Sequence, residues 1–513
     1  MSKFYVTTAI VYPNAAPQLG FIYELAATDA LARYHRMIGD DTFFLTGTDE
    51  HSQNVRRRAE EEGISTEAFT ARMAQLYRDV EARFSIAYDR FIRTEDEDHV
   101  RGVQAFIARM QARGDIYKGS YEGWYCVSCE AFKQDADLSD GYCLIHPKLK
   151  AQWLKEENYF FKLSAYQERL QQHIDKHPDF IRPESRRNEI LGWLKTGLQD
   201  FSISRSTIKW GIPFPGDDRH VVYVWGDALV NYVTGVGYGT DEAMFKKWWP
   251  ADLHVIGKDI TRFHTLYWPA MLMSAGLPVP KRVYAHGFLT VHGERMSKSA
   301  GNYIDPLEAA KRFGADAVRY LLLRELPFDR DGDISFETMT DRFNADLAND
   351  LGNFVYRTLS MLQRYFDGKV PAPDGDATPL DGQLRAPFER AASGLDKHMK
   401  ALDFNGALGQ TWEAINRGNK YIEESAPWVL AKQSDQRKRL QTVMYNLVEA
   451  IRLTTYLIAP FLPETAGRIA GQIKVDLRTP WTEAREWGRL VPRTQTSLGG
   501  VLFPRIEKPE PVA

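Results

Sequence analysis

The amino-terminal segment constrains the fold more than any other part of the chain. Phe4-Tyr5-Val6-Thr7-Thr8-Ala9-Ile10-Val11-Tyr12 is dense in β-branched and aromatic residues and reads as a buried strand. Pro13-Asn14-Ala15-Ala16-Pro17 breaks it into a loop. A helical pattern follows from Gln18 to about Met37, and Asp41-Thr42-Phe43-Phe44-Leu45-Thr46 supplies a second strand. Strand, loop, helix, strand is a βαβ unit, so a parallel α/β sheet is expected. The helix then starts at the carboxyl end of the first strand, where exposed backbone N–H groups favour a phosphate.

A length of 513 residues exceeds one ordinary core and predicts several domains. Hydrophobic residues make up 44% and charged residues 26%, as in globular chains, and the net charge of −3 gives no global basic signature. Any nucleic-acid contact must therefore be local. No apolar run approaches the roughly 18 residues a membrane helix needs, so no membrane partner is expected. Met1-Ser2-Lys3-Phe4 carries no signal-peptide pattern, and a cytoplasmic location is expected.

All three cysteines fall in one short stretch. Cys126 and Cys129 are followed, after 13 intervening residues, by Cys143 and His146. Three thiolates and an imidazole in two close pairs predict a closed tetrahedral site for one structural Zn²⁺. Further on, Gly293-Glu294-Arg295-Met296-Ser297-Lys298-Ser299-Ala300-Gly301-Asn302 sets two cations three residues apart among small residues. Such a strap can bring positive charge to a departing pyrophosphate. Beyond Ile334 the chain turns helical. Segments near 344–366, 384–401, 405–424 and 436–458 repeat apolar residues at three- and four-residue spacing, which predicts an all-α bundle.

These motifs together resemble the class I aminoacyl-tRNA synthetases, and within them the methionyl-tRNA synthetases, over essentially the whole chain. The decapeptide is similar to the KMSKS signature, with Arg295 for its first lysine. Gln18-Leu19-Gly20-Phe21 is similar to the HIGH signature, with both histidines replaced. Thr46-Gly47-Thr48-Asp49-Glu50-His51 matches the methionyl pattern. The resemblance implies a class I Rossmann-type sheet split by a zinc-knuckle insertion, then an α-helical anticodon-binding bundle. The implied domains are residues 1–114 (first catalytic half), 115–218 (insertion), 219–289 (second half), 290–345 (KMSKS loop and stem-contact region) and 346–513 (anticodon domain).

The implied activity is methionine–tRNA ligation through methionyl-adenylate, with tRNA(Met), ATP and L-methionine as partners, Mg²⁺ accompanying ATP, and a monomer as the default. By resemblance Lys298, Arg295, Ser297, Gln18, Gly20 and Phe21 occupy catalytic positions. Gly257 and Asp259, with Lys298, hold ATP. Ile10, Tyr12, Asp49, Trp225, Ala228, Leu229, Tyr232 and His264 surround the amino acid. Asn353 and Arg357, four apart on one helix face, join Pro427 and Trp428 at the anticodon. His220-Val221-Val222-Tyr223-Val224-Trp225 and Leu253-His254-Val255-Ile256 read as strands of the returning half-fold. The lost histidines also admit a divergent paralogue with an impaired or retuned ATP site, acting as a tRNA-binding protein or activating another amino acid.

Overall fold

The computed structural model describes residues 2–127, 131–133, 135–296, 302–375 and 377–507. Its centre is a six-stranded sheet, parallel throughout. Strands β1 (Lys3–Thr8), β2 (Asp41–Thr48) and β3 (Arg90–Arg93) come from the start of the chain. Helix α1 (Leu19–Met37) joins β1 to β2. Helices α2 (Gln53–Glu62) and α3 (Thr66–Arg83) precede β3, and α4 (Glu97–Ala112) follows it. Alternation explains how the sheet is held. Val6 and Phe44 point into the core shared with α1, while Tyr5, Phe43 and Leu45 point into the core shared with α4. Both faces are covered, so neither alternate set of side chains is polar.

The interruption begins with a long antiparallel ribbon, β4 (Ile116–Cys126) against β9 (Gln152–Phe161). At its far end lie β5 (Ala131–Lys133), β6 (Leu138–Ser139), β7 (Tyr142–Cys143) and β8 (His146–Lys150). The sheet then takes its edge strand, β10 (Ile181–Arg182), from within residues 115–218. That segment is therefore not wholly outside the sheet. After β11 (Phe201–Ser202), β12 (Ser204–Arg205) and β13 (Val221–Val222), β14 (Leu253–Gly257) and β15 (Val283–His286) complete the order β10-β15-β14-β1-β2-β3.

Two expected strands are corrected. The run 220–225 is extended only at Val221–Val222, which pairs antiparallel with β12 outside the central sheet, and Val224–Ala228 is a short helix. Its β-branched residues favour a strand, but Tyr223 accepts backbone bonds from Gly226 and Asp227 and the buried Asp227 side chain has partners elsewhere. The first strand stops at Thr8. Val11 keeps a single bridge to Thr48.

The carboxyl-terminal part is helical. Phe336–Arg342 runs through a π-helical stretch, Phe343–Gly352, into Asn353–Phe366 without a break. Pro379–Ala401, Phe404–Ser425 and Arg437–Ile458 pack beside it as a bundle. Among the described residues no helix is long and apolar enough to cross a membrane.

Candidate active site

At the carboxyl ends of β1 and β14 two cavities adjoin. The smaller, about 280 Å³, is lined by Ile10, Tyr12, Trp225, Ala228, Leu229, Tyr232 and His264 together. The larger, about 400 Å³, is lined by Gln18, Gly20, Phe21, Tyr77, His286 and Met296. Both share Val11, Tyr12, Glu24, Gly257 and Asp259. Asp49 does not line the smaller cavity. It is buried at the end of β2, its N–H donating to the Val11 carbonyl at 2.8 Å.

The smaller cavity is a neutral slot. His264 Nδ1 lies 3.0 Å from the Ile260 carbonyl and donates to it. Its Nε2 therefore accepts from the Tyr232 hydroxyl at 2.7 Å. Burial pushes the His264 pKa down to about 4, so the imidazole stays uncharged. Trp225 stacks on Phe263 with centroids 3.7 Å apart and planes 4° from parallel. Rings on one side and aliphatic groups on the other suit a thioether. Gly226 faces away from the slot. A Cβ there would lie 2.9 Å from Ile203 of the interrupting segment, so a side chain would push that packing apart.

The larger cavity is electrostatically prepared for anions. Gln18 caps α1 without a side-chain hydrogen bond, so the first N–H groups of a 19-residue helix face the cavity. Phe21 does not fill the space. Its ring sits edge-on to Tyr77 at 5.1 Å, and Tyr77 donates to the Ala15 carbonyl. His286 lies on the cavity wall with Nε2 2.8 Å from Glu24 and Nδ1 2.7 Å from the Gly287 carbonyl. Both nitrogens face acceptors, an arrangement that favours the doubly protonated ring. Burial opposes that charge, and the bond to Glu24 overrides it and raises the pKa. Glu24 also accepts from the Ala9 N–H at 3.1 Å, tying helix to strand.

The cationic strap is anchored on both sides of this cavity. Leu289–Val291 and Glu294–Arg295 form a hairpin whose turn residues, His292 and Gly293, have φ of 54° and 75°. Two positive φ values in succession are what a tight hairpin turn needs. Met296 then reaches the cavity wall. Ser297 and Lys298 lie outside the described residues, as do Ser299 to Gly301. Beyond them the Tyr303 hydroxyl donates to the Pro17 carbonyl at 2.9 Å, beside the start of α1.

Sequence reading missed the network beneath the slot. His51 Nδ1 is 2.6 Å from Asp227, and its Nε2 contacts Glu95. His99 Nε2 is 2.6 Å from the other Asp227 oxygen, and its Nδ1 is 2.7 Å from Thr234. Burial opposes the His51 charge, but the Asp227 carboxylate beside it, aided by Glu95, pushes its pKa up to about 10. Glu50 binds Arg93 through two 2.8 Å contacts, and Trp210 donates to the Glu50 carbonyl. The loop bearing Asp49 is thus fixed to the turn bearing Trp225. The sequence signal was the run Asp49-Glu50-His51, whose partners lie far along the chain.

Cys126 and Cys143 are both buried, and Cys143 pairs across a hairpin with His146. Cys129 lies outside the described residues, and among those described no three metal-binding side chains come together. In the helical part Asn353 is exposed, and Arg357 is 2.7 Å from Glu423, one turn before Pro427. Pro427 is buried and opens a four-residue helix, which leaves Trp428 37% exposed. The exposed Tyr356 beside Arg357 escaped sequence reading.

Residues 4–144 and 133–359 match the family model "tRNA synthetases class I (M)", and residues 370–511 match "Anticodon binding domain of methionyl tRNA ligase". The chain belongs to the class I methionyl-tRNA synthetase family. The methionine–tRNA ligase of Clostridium acetobutylicum is 48% identical over 509 residues, which is 98% of this chain and 78% of that protein. The Mycobacterium tuberculosis methionyl-tRNA synthetase in complex with methionyl-adenylate superposes with a TM-score of 0.95 at 44% identity, covering 98% of this chain and all of that one. The free form of that synthetase gives 0.88 at 41% identity, covering 99% of each chain. This synthetase fold is therefore nearer in shape to the adenylate-bound relative.

Proposed function

We propose that this chain is a methionine–tRNA ligase that works through methionyl-adenylate. One observation carries the reading: a neutral aromatic slot and an anion-ready cavity meet at Tyr12 and Asp259. Methionine in the slot presents its carboxylate to ATP in the larger cavity. A carboxylate oxygen attacks the α-phosphorus, and the bond to the β-phosphate breaks as pyrophosphate leaves. Lys298 and Arg295 of the strap, with Ser297, neutralise the charge that develops, and the α1 terminus assists near Gln18 and Gly20. Gly257 and Asp259 hold the ribose, and Mg²⁺ enters with ATP. Asp49 holds the methionine ammonium group. The protein positions reactants and forms no covalent intermediate with them.

One zinc ion would be held by Cys126, Cys129, Cys143 and His146 and would cross-link the inserted lobe. The burial of two of these thiols and the Cys143–His146 pairing support that role. Asn353, Arg357, Pro427 and Trp428 would read the anticodon. Residues 346–513 form the anticodon domain, and 290–345 connect it to the catalytic halves, 1–114 and 219–289. Residues 115–218 form the insertion, apart from the β10 strand. A ligase of this kind works in the cytosol.

The test is pyrophosphate exchange across a panel of amino acids, followed by charging of tRNA carrying CAU. Exchange that depends on methionine is expected. Absent exchange, or a preference for another amino acid, overturns the reading.

A further inference from the structure

Tyr12 and Asp259 line three cavities: the neutral slot, the larger cavity and one of about 340 Å³ beside the interrupting segment. In the ligase reading the larger cavity takes the triphosphate, and its wall is uneven in donors. The start of α1 offers backbone N–H groups near Gln18 and Gly20. His286 has both ring nitrogens engaged already, by Glu24 and by the Gly287 carbonyl. Phe21, on the first turn of α1, brings a ring with no polar atom. A second ring lies against it and does carry one, the hydroxyl of Tyr77.

Tyr77 comes from α3 and is only 5% exposed. Its ring packs in a small core with Val55, Phe69, Met73 and Phe91, and Phe21 meets it edge-on at 5.1 Å, 74° from parallel. The ring is therefore fixed, and the bond from ring to hydroxyl remains free to turn. The hydroxyl donates to the Ala15 carbonyl at 3.1 Å, and Tyr77 and Ala15 both line the larger cavity. That is longer than the roughly 2.7–2.8 Å usual for a hydroxyl donor. A hydroxyl bonds an ionised oxygen about twice as strongly as a neutral one. A phosphate oxygen in the cavity thus competes well with the Ala15 carbonyl, and turning the proton towards it disturbs no packing. Burial raises the Tyr77 pKa, so the hydroxyl donates without giving up its proton.

We propose that the Tyr77 hydroxyl is a further catalytic donor, which hydrogen-bonds the pyrophosphate oxygens of ATP as they are expelled. The assignment rests on the ligase reading. In that step the methionine carboxylate oxygen bonds to the α-phosphorus and the bond from the α-phosphorus to the bridging oxygen breaks. Pyrophosphate leaves with the electron pair, and Tyr77 keeps its proton throughout. A fixed neutral donor acts there because negative charge grows on the departing oxygens. The adenylate retains only the α-phosphate. The contact therefore serves reactions that make or consume pyrophosphate and has no part in transfer to tRNA.

Tyr77→Phe removes the hydroxyl and leaves the ring. Synthetic methionyl-adenylate bound to the full chain is offered either inorganic pyrophosphate or tRNA, each in a single turnover. Pyrophosphorolysis is expected to slow by about 10- to 100-fold in the variant, with transfer to tRNA held within about two-fold. In steady-state exchange kcat is expected to fall while the KM for methionine stays unchanged. Unimpaired pyrophosphorolysis in Tyr77→Phe overturns the assignment. So does an equal fall in both single-turnover rates, which would make the hydroxyl a mere tether for the loop at Ala15. A wild type that forms no adenylate from methionine and ATP overturns the ligase reading, and this assignment falls with it.

Discussion

Gln18 and Phe21 differ in what a histidine would do in their place. Gln18 is exposed at the cavity and makes no capping bond, so a side chain there is replaceable without repacking. Gln18→His is expected to raise the rate of methionine-dependent exchange, by up to about 100-fold for one recovered transition-state donor. A fall would mean that the cavity is built around the amide. Phe21 is different, because its ring is committed to Tyr77. Glu81 is fully buried, and neither carboxyl oxygen has a hydrogen-bond partner among the described residues. Burial pushes its pKa up to about 8 from an ordinary value of 4.5. The folded chain therefore holds a proton that the unfolded chain has released. This group's stabilisation is complete below pH 4.5 and is lost progressively as pH rises to 8, at about 1.4 kcal/mol per unit. Glu81→Gln is expected to flatten that decline and to be the more stable protein at pH 8 by roughly 1–4 kcal/mol. Urea unfolding from pH 5 to 8 checks it, and parallel profiles would refute it.

Between elements, the His51–Asp227–His99 network joins the end of β2, the turn at Val224–Ala228 and α4. The turn carries Trp225 and Ala228, which line the smaller cavity. Removing one partner of a buried charge pair costs about 3–5 kcal/mol, because the other charge is left uncompensated. Asp227→Asn is accordingly expected to destabilise the fold by about that amount and to raise the KM for methionine more than that for ATP. Its pH dependence has a definite sign. His51 is raised to about 10 from 6.5, so the pairing stabilises fully below pH 6.5 and is lost as pH rises towards 10. Asp227→Asn should remove that part of the alkaline decline, and denaturation at pH 7 and 9 measures it. None of this was legible locally. His51 and Asp227 are 176 positions apart, and the run 220–225 favours a strand by composition. The pairing of buried carboxylate and imidazoles prevailed over propensity there, and sequence reading has no access to such pairings.

Across the whole molecule, α1 connects the larger cavity to the helical bundle. Its amino terminus faces the cavity, and further along Asp29 meets Arg319 at 2.6 Å with both side chains fully buried. Arg319 also donates to the carbonyls of Phe84, Pro460 and Phe461, the last two just beyond the end of Arg437–Ile458. Arg319→Ala leaves Asp29 buried and three carbonyls without this donor. Asp29 keeps Arg33 at 2.7 Å, so the change is expected to cost about 1–3 kcal/mol and to split one calorimetric transition into two, catalytic and helical. A single transition at the wild-type temperature would refute the coupling. The sequence by itself determined what depends on neighbours in the chain. The periods of β1, α1, β2 and the bundle helices were readable, as was the strap with its glycines, because strand, helix and turn propensities act over a few residues. Through a resemblance carried by short motifs it also grouped seven residues that line one cavity together, although the eighth, Asp49, does not line it. Tertiary structure alone decided that β10 returns to the sheet edge, that distant carboxylates raise the pKa of His286 and of His51, and that three cavities meet at Tyr12 and Asp259. Burial, pairing of charge and the shape of empty space are set by distances between elements, and those exist only once the chain has packed.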